Sequence, residues 1–216
     1  MNKDIDSLIE GYKKFRENHF ASEDSTFYEL VRQGQKPKAL VIACSDSRVD
    51  PALVLNCQPG DLFVVRNVAN LVPPYEIDDQ SYHGTSAALE FGISVLEIPQ
   101  LIVFGHTQCG GIQSLLEHSH KKCGPKSFLT KWMGMATSAY DAVVDNHNYD
   151  SFDDKITLCG QYSLRHSLKN LQTFPWIAER QMRGVLQIRA WNFHMAEGIL
   201  EEYDPEQDIF KIIGHS

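Results

Sequence analysis

Two short apolar runs rich in β-branched residues, Lys38–Ala43 (KALVIA) and Leu101–Gly105 (LIVFG), both end in residues of the kind that bind metals. The first runs straight into Cys44-Ser45-Asp46-Ser47-Arg48, the second into His106-Thr107-Gln108-Cys109-Gly110-Gly111. Apolar runs of this length without polar alternation suit strands buried on both faces, as in a parallel sheet covered by helices. In an open parallel sheet the strand ends share one edge, and ligands bind in the crevice outside it. If both runs belong to one such sheet, two clusters far apart in the chain are brought to the same place.

The rest of the chain supports that sheet. A helix at Phe27–Arg32, closed by Gly34, precedes the strand Lys38–Ala43, a short helix near Pro51–Leu55 and a strand at Leu62–Arg66. A helix at Tyr82–Leu96 then leads to the strand Leu101–Gly105 and a helix at Gly110–Glu117. This alternation predicts an α/β fold, a mainly parallel β-sheet flanked by helices. Helical periodicity continues through Ser127–Asp145 and Asp154–Leu171 around the polar loop NHNYDSFDD, Val185–Trp191 reads as a strand, and Asp208–Ile213 as a last edge strand. Pro73-Pro74 and the acidic EIDDQ after them mark a surface loop, not a domain boundary, because the alternation resumes directly. At the N-terminus, Ile5, Leu8, Ile9, Tyr12 and Phe15 make the stripe of an amphipathic helix, an arm that can pack on the sheet or on a neighbouring subunit. Residues 1–216 read as one domain, with the helical arm 1–33 included.

A net charge of −8 with no basic stripe argues against nucleic acid as a partner, since phosphate neutralisation needs clustered Lys and Arg. No apolar run approaches the ~18 residues that cross a bilayer. The opening MNKDIDSLIEGYKKFRENHF is charged in every turn, whereas a secretory signal needs an apolar stretch of roughly 7 to 15 residues. A cytoplasmic protein without membrane association is expected. Five cysteines, an odd number, favour metal ligation or reduced core thiols over a disulfide framework.

Catalytic zinc takes three protein ligands, Cys sulfur and His nitrogen among the preferred ones, and keeps one position open. Cys44, His106 and Cys109 meet that count. His106 and Cys109 lie three apart at a strand-to-helix turn, Gly110 and Gly111 allow close approach of the backbone, and a helix start at Cys109 favours its thiolate. Each residue alone also reads as a buried thiol or a turn histidine; the set points to one Zn²⁺ per chain. Asp46 can act as a fourth ligand, a base or a turn former. Arg48, two residues on, can hold it in a bidentate fork and keep it ionised, so that near neutral pH it accepts hydrogen bonds. A cysteine-dependent phosphatase loop is excluded because its cysteine and arginine are separated by more than the three residues found here, and no GxGxxG follows a strand. His118, His120 and Cys123, in the Lys-rich EHSHKKCG, read as a solvated helix end, and Cys57 and Cys159 as core residues.

These residues resemble a known family, the β-class carbonic anhydrases. CSDSRV (Cys44–Val49), RNVAN (Arg66–Asn70) and GHxxCGG (Gly105–Gly111) match its signatures in order and spacing, closely over Gln35–Ile112 and more loosely through Ser163–Trp191. The resemblance implies that Cys44, His106 and Cys109 hold Zn²⁺ and that Asp46 and Arg48 form the dyad beside the open position. It also implies that Gln35 orients substrate, that Phe63, Val68 and Phe91 line an apolar pocket with Gly110 beside it, and that the protein is a homodimer or higher even oligomer with sites at subunit boundaries. Phe91 stands where many members carry tyrosine. Val41 stands where a bicarbonate-regulated subclass carries tryptophan, so no such regulatory site is expected, and Arg66, which that site also uses, is left to the dimer or the sheet edge. His83 is a candidate proton shuttle.

The implied activity is reversible hydration of CO₂ to bicarbonate and a proton, through a zinc-bound hydroxide oriented by the Asp46/Arg48 dyad. The alternatives are hydrolysis of a CO₂ analogue such as CS₂ or COS, and a zinc-binding protein without turnover. Whether water or Asp46 fills the fourth zinc position at rest is open at this level. Two thiolates cancel the charge of the metal, so its water should be less acidic than in a three-histidine site, where the pKa is roughly 7. Stopped-flow CO₂ hydration is therefore expected to rise from about pH 7 to 9; a flat or falling profile contradicts the two-thiolate site.

Overall fold

The computed structural model describes residues 3–21, 26–77, 82–124, 126–145 and 149–214. Residues 78–80 of the acidic run after Pro74, and 146–148 of the polar loop, lie outside that set. Six strands form one sheet: β1 (Ala39–Cys44), β2 (Leu62–Asn67), β3 (Gln100–His106), β4 (Gln187–His194), β5 (Ile199–Asp204) and β6 (Ile209–Ile213), in the order β2-β1-β3-β4-β5-β6. The first four are parallel and the last two add on antiparallel. The mainly parallel α/β sheet expected from the alternation is present.

β1 is buried along its whole length, as its unbroken apolar run requires. Leu40 and Ile42 point to one face, where they meet Leu101, Val103, Leu89, Ile93, Leu164 and Phe174. Val41 and Ala43 point to the other, with Val49, Ile102 and Phe104. A third cluster lies beneath the strand ends and joins Cys44 and Cys109 to Ile112, Met133, Val143 and Cys159. The helices are α1 (Lys3–His19), α2 (Thr26–Gln33), α3 (Pro51–Val54), α4 (Gly84–Glu90), α5 (Gly110–Leu116), α6 (Phe128–Met133), α7 (Thr137–Asp145), α8 (Phe152–Leu171) and α9 (Pro175–Met182).

Several elements differ from the expectation for physical reasons. The helix expected over Tyr82–Leu96 is α4 followed by a π turn at Phe91–Val95. Gly92 in that turn lies so close to β1 that a Cβ would come within 2.4 Å of Leu40 Cδ1. The helix expected over Ser127–Asp145 is divided into α6 and α7 by a 3₁₀ turn at Gly134–Ala136. β5 was hidden by its acids, which break the two-residue alternation; Glu201 pairs with His194 Nε2 at 2.8 Å and Glu202 with Arg189 across the ladder. α9 begins on Pro175, which suits a first helical turn because its missing N–H would be unpaired there anyway.

The arm divides into an anchored part and an uncovered part. α2 sets Leu30 against Gly60, and Phe27 stacks on Phe20 with ring centroids 5.3 Å apart. α1 has no buried residue, and Ile5, Leu8, Ile9, Tyr12 and Phe15 are 40 to 69% exposed. Of the two placements the sequence left open, packing on the chain's own sheet is not the one adopted. Among the described residues no helix is long and apolar enough to cross a membrane.

Candidate metal centre

The strand register brings the two clusters together. Ala43 of β1 lies opposite Phe104 of β3, so Cys44 leaves its strand one residue short of the level of His106. The turn 107–109 then carries Cys109 back over the strand ends to the start of α5. The Sγ atoms of Cys44 and Cys109 are 3.8 Å apart, and with a ring nitrogen of His106 all three donor atoms lie within 4.8 Å of one another, every one of these residues buried. Two sulfurs bound to one zinc at about 2.3 Å in a tetrahedron would be about 3.8 Å apart. His106 Nδ1 is 2.8 Å from the carbonyl oxygen of Thr107, and as its donor leaves Nε2 with a lone pair. Nε2 is buried and has no hydrogen-bond partner among the described residues. The donor set, the sulfur spacing and the orphaned nitrogen fit zinc.

Charge reinforces the fit. Cys44 is drawn down, chiefly by its hydrogen bond with Cys109, while Cys109 is pushed up by that same negative neighbour and by burial. The amides of Gly111 and Ile112 pull Cys109 downward, as expected at a helix start, but its neighbour outweighs them. Two buried thiolates at this distance need a cation between them.

Asp46 and Arg48 stand beside this triad. Arg48 donates from its backbone N (3.0 Å) and Nε (3.0 Å) to Asp46 Oδ1 and from Nη2 (2.7 Å) to Oδ2. This fork holds the carboxyl well below the usual carboxylate range. Nη2 also donates to the Gln108 carbonyl at 3.0 Å, which ties the two strand-end loops together. Asp46 Oδ2 lies 4.0 Å from His106 Nε2.

Comparison with known proteins agrees with this geometry. A family profile described as carbonic anhydrase matches residues 39–200. A carbonic anhydrase of Synechocystis sp. is 39% identical over 198 residues, covering 91% of this chain and 70% of that protein. Among solved structures, the β-carbonic anhydrase CcaA superposes with a TM-score of 0.87 at 37% identity, covering 97% of this chain and 99% of the other. One of two tetrameric β-carbonic anhydrases of Sordaria macrospora gives a TM-score of 0.72 at 26% identity, covering 92% of this chain and 93% of the other. The chain belongs to the β-class carbonic anhydrases.

Not every residue singled out in this carbonic anhydrase converges on the triad. Val68 does: it begins the turn 68–70 that follows β2, and Gly111 is pressed so close that a Cβ would come within 3.0 Å of Val68 Cγ1 and 2.9 Å of Ala69 Cβ. The glycine is needed at 111, whereas a Cβ on Gly110 would meet nothing within 4 Å. Phe63 and Phe91 pack together with ring centroids 6.0 Å apart, but Phe63 lies opposite Leu40, four positions before Asn67, which is the partner of Cys44. That is about 13 Å along the strand. Gln35 is exposed in the segment before β1, and His83 precedes α4. Among the described residues no second cluster of three metal-type ligands forms; His118 pairs with the Tyr140 hydroxyl and His120 with the Ser114 carbonyl. Cys159 is a core thiol, pushed up to about 12 by burial.

Three supporting groups escaped sequence reasoning. Arg66, assigned there to the dimer or the sheet edge, lies on the edge strand β2 and clamps the 44–50 loop: Nε donates to the Cys44 carbonyl (2.9 Å), Nη2 to those of Asp46 (2.6 Å) and Val49 (2.9 Å), and Nη1 to Asp50 Oδ2 (3.2 Å). The Gln108 carbonyl is aimed at Arg48 by a backbone φ of 54°, a left-handed conformation no motif announces. Trp132 Nε1 donates to the Val68 carbonyl at 2.8 Å and holds the turn in which Ala69 and Asn70 both adopt positive φ. The RNVAN signature that holds Arg66 and Asn67 is a usable signal; the other two depend on tertiary contacts. Arg66→Lys keeps the charge and loses the fork, so we expect a loss of about 2 kcal/mol in denaturant-induced unfolding of the zinc-loaded protein.

Proposed function

We propose that this chain hydrates CO₂ reversibly with zinc held by Cys44, His106 and Cys109 and with Asp46 and Arg48 as the catalytic dyad. The observation that carries the reading is the Arg48 fork, which engages both carboxylate oxygens of Asp46 and so keeps them from the metal. The fourth position is thereby left to water. Zinc, when bound, supplies a Lewis acid that lowers the pKa of a water in that position. Asp46 remains ionised beside Arg48, so it can only accept, and a hydrogen bond from the reacting water to Oδ2 fixes where its lone pair points. Arg48 holds Asp46 in place and, through Gln108, keeps the two loops at a fixed distance. CO₂ has no net dipole and is held by apolar contact, for which Val68 provides the wall nearest the metal.

The remaining pocket residues support a site shared between two chains. Gln35 is exposed, Phe91 is 42% exposed, and Phe63 lies too far along β2 to face the triad of its own chain. We assign Gln35, Phe63 and Phe91 of a second copy to the substrate pocket, with the uncovered stripe of α1 as part of the contact between copies. A homodimer or a larger even assembly follows.

Zinc analysis together with stopped-flow CO₂ hydration tests the dyad. Asp46→Ala should keep close to one zinc per chain and lose activity by about 100-fold; parallel loss of zinc would make Asp46 a ligand and overturn the reading. Sedimentation tests the assembly: wild type is expected as an even oligomer that Leu8→Glu with Tyr12→Glu dissociates, and a monomeric wild type would reject it.

A further inference from the structure

Against His106 and Cys109 lies a small cavity with about 10 Å³ of room for the centre of a water molecule. Asn70, His106, Cys109, Gly160, Ser163 and Asn192 are among the residues that line it. Ser163, Asn192 and Asn70 are 2, 2 and 5% exposed, so an almost fully buried space has polar walls. Apolar cavities of this size stay dry, whereas polar ones with room for one probe sphere hold water.

Ser163 Oγ is buried and has no hydrogen-bond partner among the described residues. A serine inside a helix commonly bonds back to the carbonyl four residues earlier, and this one does not. A buried hydroxyl left unpaired is strongly disfavoured. One turn earlier on α8, Gly160 interrupts the middle of a 20-residue helix, where glycine is a poor helix former. A Cβ built there would meet no atom within 4 Å. The helix therefore carries, side by side, a missing methyl that leaves room and a hydroxyl that lacks a partner.

Of the two metal ligands on the cavity wall, His106 has no nitrogen to offer. Its Nδ1 donates to the Thr107 carbonyl, and the lone pair of its Nε2 is the one the triad offers to a metal. Cys109, as a thiolate, keeps lone pairs that accept hydrogen bonds. We propose that the cavity is a water site in which a single water, held by Ser163 Oγ, donates a hydrogen bond to the Cys109 thiolate, so that Ser163 is a positioning residue for the metal centre. The proposal rests on the reading of Cys44, His106 and Cys109 as metal ligands. Such a bond draws charge from the sulfur and stabilises its ionised form, as partners of ligating groups do at other metal sites.

Two variants test it. Ser163→Ala removes the hydroxyl, and Gly160→Ala puts a methyl into the space at a helical position where alanine is favoured, so folding is maintained. In the cobalt-substituted protein, the near-ultraviolet sulfur-to-cobalt charge-transfer band should move to longer wavelength in both variants, because a thiolate without its donor gives up electrons more readily. Zinc affinity, read by competition with a chelator, should fall about tenfold. A high-resolution crystal structure of the zinc-loaded wild type should show one water within hydrogen-bond distance of Ser163 Oγ and Cys109 Sγ, lost in Gly160→Ala. Metal-loaded protein with a dry cavity, or with an unmoved band in both variants, overturns the water site alone. Wild type that takes up neither zinc nor cobalt overturns the metal reading beneath it.

Discussion

Two sulfur atoms 3.8 Å apart, both buried, cannot both be ionised unless a cation lies between them. The rest of the site is arranged around that requirement. The β1–β3 register brings the sulfurs into reach, the Thr107 carbonyl fixes the histidine tautomer, and the amides of Gly111 and Ile112 favour the harder of the two ionisations. Opposite-charge compensation at such a centre is far stronger than at the surface, because burial removes the solvent that would otherwise screen it. Asp46 shows the contrast: its negative charge is compensated chiefly by Arg48, a half-exposed side chain.

Holding that geometry uses backbone conformations that a free chain avoids. Ala69, Asn70 and Gln108 all have positive φ without being glycine, and all three border the triad. Strain of this kind persists only where neighbouring contacts over-determine it. Here those contacts are specific. Trp132 takes the Val68 carbonyl, Asn67 bridges both backbone groups of Leu71, and Gly111 leaves space for the turn to press against α5. Arg66 does the same for the opposite loop, donating to three of its carbonyls. Arginine at that position is thus a scaffold for the metal loop, and its charge is secondary to its planar fork.

How much of this was legible in the sequence depended on the range of the interactions. The runs KALVIA and LIVFG announced buried parallel strands because burial on both faces leaves an unbroken apolar pattern, and the ligands follow them directly in the chain. Asp46 and Arg48 could be paired on paper because they are two residues apart. β5 could not be seen, since Glu201 and Glu202 look like loop residues until β4 supplies His194 and Arg189. The π turn at Phe91–Val95 was likewise invisible, because it follows from how near Gly92 lies to Leu40, a contact between residues far apart in the chain. The roles of Trp132 and the Gln108 carbonyl belong to the same class: each acts through backbone groups, which carry no residue-type signature.

The sheet also limits what one chain can do alone. Phe63 and Cys44 sit on adjacent strands whose parallel ladder fixes them four positions apart, and closing that gap would break every residue pair of the β1–β2 ladder. No loop movement can therefore bring Phe63 and its neighbour Phe91 to the triad of the same chain. β2 is an edge strand, and the arm that precedes β1 leaves its apolar stripe uncovered. An enzyme of this fold that needs a larger apolar wall than Val68 provides must take it from another copy, which makes assembly a condition of substrate binding under the proposed reading. The triad needs no such help, since Cys44, His106 and Cys109, with Asp46 and Arg48 beside them, all come from the two strand ends of a single chain.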